Sequence, residues 1–500
     1  MVRAHPAVPK KMEKEKKLQA ILPAGFEDRW DRKLILKKEL IKIIENNFLK
    51  FGFSALETPS FEVSENIGSF LANDESNSMS DVFTFGDENK KITLRYDLSS
   101  PLSRFVAQNY LTIPFPYKRY QIGNVWRNEK AGNARYREFT QADCDIVGNF
   151  NQGQANAELI KLIIDTLLKC GLKKDQFKIK ISNRKLVKGL LNKIKVKDKK
   201  QELKVIRAID KLEKFGIKGV EALLKEGRKD DSGDFTTGAN LTDEQVSVIV
   251  NFLNVEINWK NRQSDSETQK ELTKAGDYFS EQRKIFSDSL SNEGFDEIDE
   301  IYDNLENSSE DGRYTRLISV DPSMVRGLDY YDGFILETEL KFKVKNIKGK
   351  EIDIGSICSG GQYGKLVSRF KGVDFPGTGV SIGVDRLLFA MMQLEQIKTE
   401  EQKPVIVCVM DKKYLSKYNE ILQTLRDNNI NSEIYLDPSK NMGKQLTYAN
   451  KRGCPVAIIC GENEFKDKTV TLKNLLGVKG ENNQKTVKYE DLVYEIKKIF

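Results

Sequence analysis

The chain has 500 residues, of which 39% are hydrophobic and 31% charged, and its formal net charge is +7. This length and composition predict a soluble protein of three or more structural units, and no apolar run is long enough to span a bilayer. The sequence contains one histidine, His5, which excludes a Ser-His-Asp hydrolase and a histidine-ligated zinc site. Any chemistry must therefore come from arginines, carboxylates, tyrosines, backbone donors and bound substrates.

Residues 1–20 are predicted to form a mobile basic leader, and they lack the apolar core of a secretion signal. Lysine-rich stretches at 10–17 and 185–229 suit a polyanionic partner, although solvated helix faces account for them equally well. Six cysteines are scattered without metal-ligand spacing, which predicts reduced, mostly buried thiols and a cytoplasmic protein.

Residues 21–185 begin with a helix and continue as short strands. Apolar residues recur at helical spacing from Leu34 to Phe48, and Gly52 is a plausible helix stop. Strands are predicted at 53–59, 82–85, 92–96, 119–127 and 137–147, followed by a helix at 158–170. The last two strands flank a polar loop, as in a long antiparallel hairpin.

Residues 186–318 change to helices joined by polar linkers, which predicts a helical insertion into the sheet. Within it, Thr242 and Gln245 form a capping box ahead of an apolar stripe. Strand patterns return at 316–320, 331–340, 356–359 and 379–383, and a helix at 385–393 closes the unit that occupies residues 319–399. After a linker, residues 403–500 alternate strand and helix, which predicts a compact α/β domain.

The second strand of the hairpin carries an unusual set of side chains. Alternation places Arg137, Phe139, Gln141, Asp143 and Asp145 on one face. Unpaired buried charges are costly, so this face is a poor core but a good floor for a nucleotide and an amino acid. An exposed sheet face is the simpler alternative.

A glycine-spaced strand at 377–383 feeds a helix that has Arg386 in its first turn. Helix N-termini attract phosphate, and glycines let the backbone approach a flat ligand. The segment is not a P-loop, because no Gly-Lys-Ser/Thr follows. The alternative is a tightly packed corner between strand and helix.

The segment 326–331 places a permanent cation beside two phenols. Arg326 offers a planar fork of donors for phosphate or carboxylate, while Tyr330 and Tyr331 supply flat walls with polar tips. Alone, this could be an ordinary turn before a strand. Together with Arg127 and Arg386, it indicates a site for ATP and a small polar substrate.

These segments resemble the signature motifs of the class II aminoacyl-tRNA synthetases. Residues 53–59 are similar to motif 1, 125–139 to motif 2 and 379–387 to motif 3, and residues 326–331 and 359–363 are similar to two segments of the histidyl-tRNA synthetase family. The resemblance extends from Leu22 to the C-terminus. It implies an α+β fold with a six-stranded antiparallel catalytic sheet and its helices, a helical insertion, and an α/β anticodon-binding domain at 403–500.

The resemblance also implies an activity. An enzyme of this family is an ATP-dependent, AMP-forming ligase that activates L-histidine as histidyl-adenylate and then transfers it to the 3′ end of tRNA(His). The expected substrates and partners are ATP, with Mg²⁺ carried on it, L-histidine, tRNA(His) and a second copy of the chain that meets motif 1. No resident metal and no membrane are expected.

Roles for single residues follow from the same resemblance. The catalytic residues are Arg127, Arg326 and Arg386. The histidine-binding residues are Asp97, Leu98, Ser99, Arg127, Gln141, Asp145, Arg326, Tyr330, Tyr331 and Tyr363. The ATP-binding residues are Arg127, Glu129, Phe139 and Arg386.

Within these sets, Asp97 and Ser99 are expected at the substrate ammonium, and Asp145 is expected to accept a hydrogen bond from the imidazole. Arg127 and Arg386 would hold the α- and γ-phosphates, and Arg326 would stabilise charge at the α-phosphate. Phe139 would stack on adenine, and Glu129 would contact its amino edge.

The family's Gly-Gly-Arg-Tyr-Asp-Gly run reads Gly-Gly-Gln-Tyr-Gly-Lys at 360–365, which loses an arginine and an aspartate. Because Tyr363 remains, we expect substrate binding to be retuned and not lost. One alternative function is a catalytically silent paralogue that regulates histidine biosynthesis, but such paralogues generally lack the C-terminal domain and the 326–331 segment. Another class II synthetase is the second alternative, and the twin tyrosines and Asp145 weigh against it.

Overall fold

The computed structural model describes residues 19–71, 82–86, 91–132, 134–196, 198–229, 233, 235–264, 283–284, 288–309, 311–321, 323–325, 331–346, 348–371, 375–395, 403–476 and 483–499. The chain divides into two compact units, residues 1–398 and 399–500. Residues 1–18 of the basic leader lie outside the described residues, as do Arg326 and Tyr330.

The first unit mixes helices with strands. Its helices are α1 (Asp31–Lys50), α2 (Ser64–Leu71), α3 (Ser99–Asn109), α4 (Gln152–Lys169), α5 (Arg184–Lys193), α6 (Lys199–Ile209), α7 (Leu212–Leu224), α8 (Asp243–Ser264), α9 (Ser289–Glu306), α10 (Lys365–Lys371) and α11 (Val384–Leu394). Its strands are β1 (Ser54–Ala55), β2 (Phe61–Val63), β3 (Thr84–Phe85), β4 (Ile92–Leu94), β5 (Tyr117–Trp126), β6 (Glu138–Val147), β7 (Phe177–Asn183), β8 (Gly227–Lys229), β9 (Phe235–Thr237), β10 (Ile318–Val320), β11 (Phe334–Leu340), β12 (Val344–Lys345), β13 (Glu351–Ile352), β14 (Cys358–Tyr363) and β15 (Gly377–Gly383).

The central sheet of this unit has the strand order β1-β5-β6-β15-β14-β11-β7-β10. The six strands from β5 to β7 pair antiparallel with their neighbours, as the family resemblance implied, although β7 itself was not predicted. Strands β1 and β10 lie within the predicted strand segments 53–59 and 316–320, but their parallel pairing at the two edges was not predicted. The α+β fold with an antiparallel six-stranded core is therefore confirmed, within a larger mixed sheet.

The predicted hairpin is formed by β5 and β6. Its register places Arg119 opposite Asp145 and Val125 opposite Phe139. The partner of β6 on its other side is β15, where Ser381 lies opposite Asp143. Side chains of alternate residues on these three strands therefore share one face of the sheet.

Helix α1 covers the sheet through a stripe of residues spaced by four. Leu36, Leu40, Ile44 and Phe48 are buried, while the more N-terminal Leu34 of the predicted stripe is only half-buried. The helix ends just before Gly52, which adopts a φ of 77°. Because a residue with a side chain rarely adopts this conformation, glycine suits the position, and the predicted stop is confirmed.

The described residues of the region 186–318 are mainly helical. The capping box is present, since the Thr242 backbone N–H donates to Gln245 Oε1 at 2.9 Å and the Gln245 N–H donates to Thr242 Oγ1 at 3.4 Å. The short hairpin β8–β9 was not predicted. Buried residues of this region, such as Val205 and Ile249, join the same hydrophobic core as the central sheet.

The second unit is an α/β domain, as predicted. Its strands are β16 (Val405–Val407), β17 (Ser432–Ile434), β18 (Val456–Ile459), β19 (Thr469–Asn474) and β20 (Gln484–Lys488), and its helices are α12 (Leu415–Asp427), α13 (Met442–Arg452), α14 (Glu462–Asp467) and α15 (Leu492–Lys497). The strand order is β17-β16-β18-β19-β20, and the first three strands are parallel. Helix α14 and strand β20 were not predicted.

All six cysteines are free and buried, in agreement with the prediction of reduced, buried thiols. Within the ranges that the model describes, no helix combines the length and the apolar character that crossing a bilayer requires.

Candidate active site

The floor of the candidate site is a buried ion pair across the β5–β6 hairpin. Arg119 Nη2 lies 2.9 Å from Asp145 Oδ2, and the two side chains are 0% and 2% exposed. The hydroxyl of Tyr363 donates to Asp145 Oδ1 at 2.5 Å. A buried charge is stable only when it is paired and hydrogen-bonded, so these contacts fix the carboxylate in place.

Space for the Asp145 carboxylate is provided by Gly379 on the neighbouring strand. A Cβ atom at Gly379 would lie 2.1 Å from Asp145 Oδ1, which is far inside van der Waals contact. The glycines of β15 were expected to let the backbone approach a flat ligand, and Gly379 has a second role. It leaves room for a charged side chain of the adjacent strand.

The positive charge of Arg119 does not fully offset the cost of burying the carboxylates of Asp143 and Asp145 on this floor. Burial raises the pKa of Asp145, although the Arg119 guanidinium and the Tyr363 hydroxyl act in the opposite direction. Burial also raises the pKa of Asp143 to about 7, with a further contribution from Asp145. Two buried carboxylates therefore lie close to Arg119, and the floor favours a cationic or hydrogen-donating ligand.

Several buried acceptor and donor atoms on the floor have no hydrogen-bond partner among the described residues. Gln141 Nε2 donates to Ser381 Oγ at 2.8 Å, but Gln141 Oε1 is buried and has no hydrogen-bond partner among the described residues. The same is true of Asp143 Oδ1 and of Nε and Nη1 of Arg119. Buried polar atoms are normally satisfied, so these atoms mark a place where a polar ligand fits.

A cleft beside this floor, which we call the arginine cleft, brings together the four residues that the sequence assigned to ATP. They are Arg127, Glu129, Phe139 and Arg386, and the cleft is also lined by Ala134, Arg135, Tyr136, Gln141, Ser356, Ile357, Cys358, Ser359, Ser381, Gly383 and Asp385. Motif 2 and motif 3 therefore face one another across a single opening.

Arg127 is held between two aromatic rings in the arginine cleft. Its guanidinium carbon lies 4.2 Å from the ring centroid of Tyr96 and 5.2 Å from that of Phe139. Its Nε atom also donates to the Tyr96 carbonyl at 3.2 Å. These contacts orient the planar donor fork without neutralising its charge, which is the state that phosphate binding requires.

Arg386 enters the cleft from the first turn of α11 and donates to the carbonyl oxygen of Ser356. Burial lowers the pKa of Arg386, and the nearby guanidiniums of Arg135 and Arg127 lower it further. Glu129 supplies the opposing charge, since it pairs with Arg135 and accepts from the Tyr96 hydroxyl at 3.2 Å. The cleft is thus rich in positive charge and suited to a polyanion.

The predicted ammonium-binding segment lies at the start of α3. Asp97 is buried, and its Oδ1 accepts from the Ser100 backbone N–H at 2.9 Å. The carbonyl oxygen of Leu98 accepts from Arg119 Nη2 at 2.9 Å, which ties this segment to the floor. Ser99 begins the helix, and its carbonyl oxygen accepts from Ser103 Oγ at 2.9 Å.

Tyr331 is half-buried and packs against Tyr363, which is 1% exposed. The predicted Arg326 and Tyr330 lie outside the described residues, so their roles stay predictions. In the segment 360–365, which lacks the family's arginine and aspartate, the Gly364 backbone N–H donates to Asp332 Oδ2 at 3.0 Å.

Sequence reasoning did not assign Arg119, Ser381, Arg135 or Asp385 to the site. A signal for Arg119 was available, because a hairpin that joins residues 127 and 137 also places residue 119 opposite residue 145. No comparable signal identified Ser381 or Asp385, since their contacts join segments far apart in sequence. Among the described residues, no group of three or more His, Cys, Asp or Glu side chains could hold a metal ion.

Most of the chain matches the models of two known protein families. Residues 25–387 match the model of the family described as histidyl-tRNA synthetase. Residues 404–499 match the model described as anticodon binding domain.

Curated relatives and solved structures agree with these matches. The chain is 64% identical over 489 residues to a histidine–tRNA ligase of Pelagibacter ubique, covering 97% of this chain and 100% of the relative. It is 39% identical over 473 residues to a histidine–tRNA ligase of Rhizobium meliloti, covering 93% of this chain and 90% of the relative. The crystal structure of histidyl-tRNA synthetase from Nostoc sp. PCC 7120 superposes with a TM-score of 0.69 at 25% identity, over 97% of this chain and 100% of that one.

One solved structure concerns the regulatory alternative. It is described as an ATP phosphoribosyltransferase regulatory subunit/histidyl-tRNA synthetase from Bacillus halodurans, and it superposes with a TM-score of 0.64 at 19% identity, over 87% of this chain and 97% of that one. Likeness at this identity concerns the fold alone.

The raised pKa of Asp143 predicts a specific dependence of stability on pH. The group has a pKa of about 7 in the folded protein, against about 3.9 in an unfolded chain. Its contribution to stability is therefore fully present below about pH 4 and is lost as the pH rises from about 4 to 7. Asp143→Asn removes this loss, so the variant should gain stability relative to the parent between about pH 4 and 7, by on the order of a few kcal/mol, and level off above that range.

The measurement is the free energy of unfolding in urea for both proteins at several pH values. A difference that stays constant from pH 5 to 8 would show that Asp143 titrates as an ordinary carboxylate.

Proposed function

Because the chain belongs to the histidyl-tRNA synthetase family, we propose that it activates L-histidine with ATP and transfers the histidine to the 3′ end of tRNA(His). The observation that carries this proposal is the arginine cleft. It gathers Arg127, Glu129, Phe139 and Arg386 beside the buried carboxylates of the floor. A polyanion and a small cationic substrate can thus bind next to each other.

The first step needs no protein base. The carboxylate of histidine is the nucleophile that attacks the α-phosphate of ATP, and pyrophosphate leaves as histidyl-adenylate forms. What the protein must supply is alignment of the two substrates and positive charge at the reacting phosphate. Arg127 is oriented for this by its two flanking rings, and Arg386 provides a second cation across the cleft. Mg²⁺ arrives bound to the phosphates of ATP.

Recognition of histidine is assigned to the floor. Asp145 keeps further lone pairs on both oxygens after its contacts with Arg119 and Tyr363, so it can also accept from the substrate imidazole. Gln141 Oε1, which has no hydrogen-bond partner among the described residues, provides a further acceptor on the same face of β6. Asp97, at the start of α3, provides an anionic partner for the substrate ammonium.

The second step transfers histidine to the terminal ribose of tRNA. The match of residues 404–499 to anticodon-binding domains supports a role of the second unit in selecting tRNA(His). The same match disfavours the regulatory alternative, whose members generally lack that domain. We propose that both steps take place in the cytoplasm.

A homodimer is the proposed assembly, and an exposed apolar sheet face supports it. Strands β2, β3 and β4 form a small sheet that directly follows the motif 1 segment. On this face Phe61, Val63, Phe85 and Ile92 are between 41% and 52% exposed. Large apolar groups that cluster on a surface mark a contact site, and a second copy of the chain is the occupant we propose.

Histidine-dependent exchange of pyrophosphate into ATP tests the first step. Exchange should occur with histidine and with no other proteinogenic amino acid. Arg127→Ala should lower the exchange rate by about 10²–10³-fold, because one preorganised donor to the transition state is lost. Aminoacylation of tRNA(His) should fall by a similar factor.

Arg283→Ala is the matched control. Arg283 also donates to carboxylates, those of Asp296 and Asp299 on helix α9, but it lies outside the arginine cleft. It should exchange at the parental rate. Exchange that depends on another amino acid, or a folded Arg127→Ala protein of parental activity, would overturn the proposed chemistry.

Sedimentation velocity tests the assembly. Val63→Lys places a charge on the apolar face and should shift the protein from dimer to monomer. The control is Leu476→Lys, at a 67% exposed residue of the second unit, which should stay dimeric. A dimer that tolerates Val63→Lys would rule out this face as the interface.

A further inference from the structure

A second buried charge cluster borders the arginine cleft and is centred on Asp385, one of the residues that line it. Lys37 Nζ on α1 lies 2.9 Å from Asp385 Oδ1, and Arg29 Nε lies 3.0 Å from the same oxygen. The backbone N–H of Thr140 on β6 donates to the other oxygen at 2.6 Å. The Asp385 side chain is only 3% exposed.

These contacts join α11 to two regions that are distant from it in sequence. Arg29 precedes α1, Lys37 lies within α1, and Thr140 lies on β6 between the cleft residues Phe139 and Gln141. Lys37 Nζ also donates to Thr140 Oγ1 at 2.6 Å. Asp385 therefore holds the start of α11 against the strand that carries the floor of the site.

At the start of α11, Asp385 is the side chain held by ion pairs with other segments, while Arg386 donates to the Ser356 carbonyl oxygen. Gly383 is the N-cap residue and makes no side-chain hydrogen bond to the helix. A carboxylate in the first turn is favoured by the helix dipole, and here it is also fixed from outside by two cations and a backbone donor. The position of the next residue, Arg386, is fixed with it.

Arg386 needs such an anchor because its neighbours repel it. The guanidiniums of Arg135 and Arg127 act on Arg386 across the cleft, and burial also disfavours its charge. Without ATP, like charges confined in one cleft favour movement of the most weakly held group. The carboxylate of Asp385 opposes that movement through the backbone of α11.

We propose that Asp385 is a positioning residue, which sets the geometry of Arg386 for ATP through its contacts with Lys37, Arg29 and Thr140. The inference rests on the proposed function, because it assigns Arg386 to the ATP phosphates. It predicts that the effect of Asp385 on catalysis passes through Arg386 and not through the stability of the fold.

A double-mutant cycle tests this directly. Asp385→Asn keeps the volume of the side chain and removes its charge, and it should lower kcat/KM for ATP in pyrophosphate exchange by about 10²-fold, the scale of a 1 Å misplacement. The KM for histidine should not change. In an Arg386→Ala background the same Asp385→Asn change should have no further effect, since the residue it positions is gone.

Two further variants separate positioning from folding. Lys37→Met removes one of the two cations on Asp385 and should lower kcat/KM for ATP less than Asp385→Asn does. Glu297 lies on α9, outside the arginine cleft, and accepts from Lys185 and Asn183. Glu297→Gln weakens these contacts and should leave kcat/KM for ATP at the parental value. Equal losses from Asp385→Asn with and without Arg386 would overturn the proposal, as would parental activity of Asp385→Asn.

Equilibrium binding of Mg-ATP, measured by calorimetry on the same four proteins of the cycle, keeps this test separate from the proposed function. If the parent protein lacks histidine-dependent exchange, the proposed function fails. The positioning inference then stands if Asp385→Asn weakens ATP binding only when Arg386 is present. It falls if the two losses of affinity are additive.

Discussion

The structure of the site depends on burying charged side chains on one face of an antiparallel sheet. Arg119 and Asp145 are both almost inaccessible to water, and each is tolerated only because the other lies 2.9 Å away. Their meeting requires the register of the β5–β6 hairpin, in which residue 119 faces residue 145. A one-residue slip of either strand would turn its charged residue to the opposite face of the sheet and separate the pair, so the ion pair and the register specify each other.

A similar constraint shapes the arginine cleft. Its guanidinium groups repel one another, and Glu129 neutralises only part of their positive charge. The protein holds them by other means: Arg127 lies between two rings, and Arg386 follows a residue anchored in a buried network. Preorganised positive charge of this kind favours a reaction at phosphate, because no reorganisation is needed when the transition state forms.

Local patterns in the sequence predicted the features that local physics determines. The helix ending at Gly52, the capping box at Thr242 and the long hairpin are each set by residues close together in sequence. Alternation along β6 correctly placed Gln141, Asp143 and Asp145 on one face.

Contacts between distant segments could not be predicted in this way. The edge strands β1 and β10 lie within predicted strand segments, but nothing in those segments indicates that they pair parallel with β5 and β7. The pairing of Asp385 with Lys37 joins residues 348 apart in sequence, and nothing near either residue indicates it. The resemblance to a family supplied the roles of single residues, and those roles stay predictions until ligands are observed.

The central claim is that the buried floor binds histidine while the arginine cleft binds ATP. A crystal structure of the protein with a non-hydrolysable histidyl-adenylate analogue tests it most directly. The account predicts the imidazole within hydrogen-bonding distance of Asp145 or Gln141, and the phosphate mimic within reach of Arg127. An analogue bound with its imidazole away from this floor, or with its phosphate mimic outside the arginine cleft, would contradict the account.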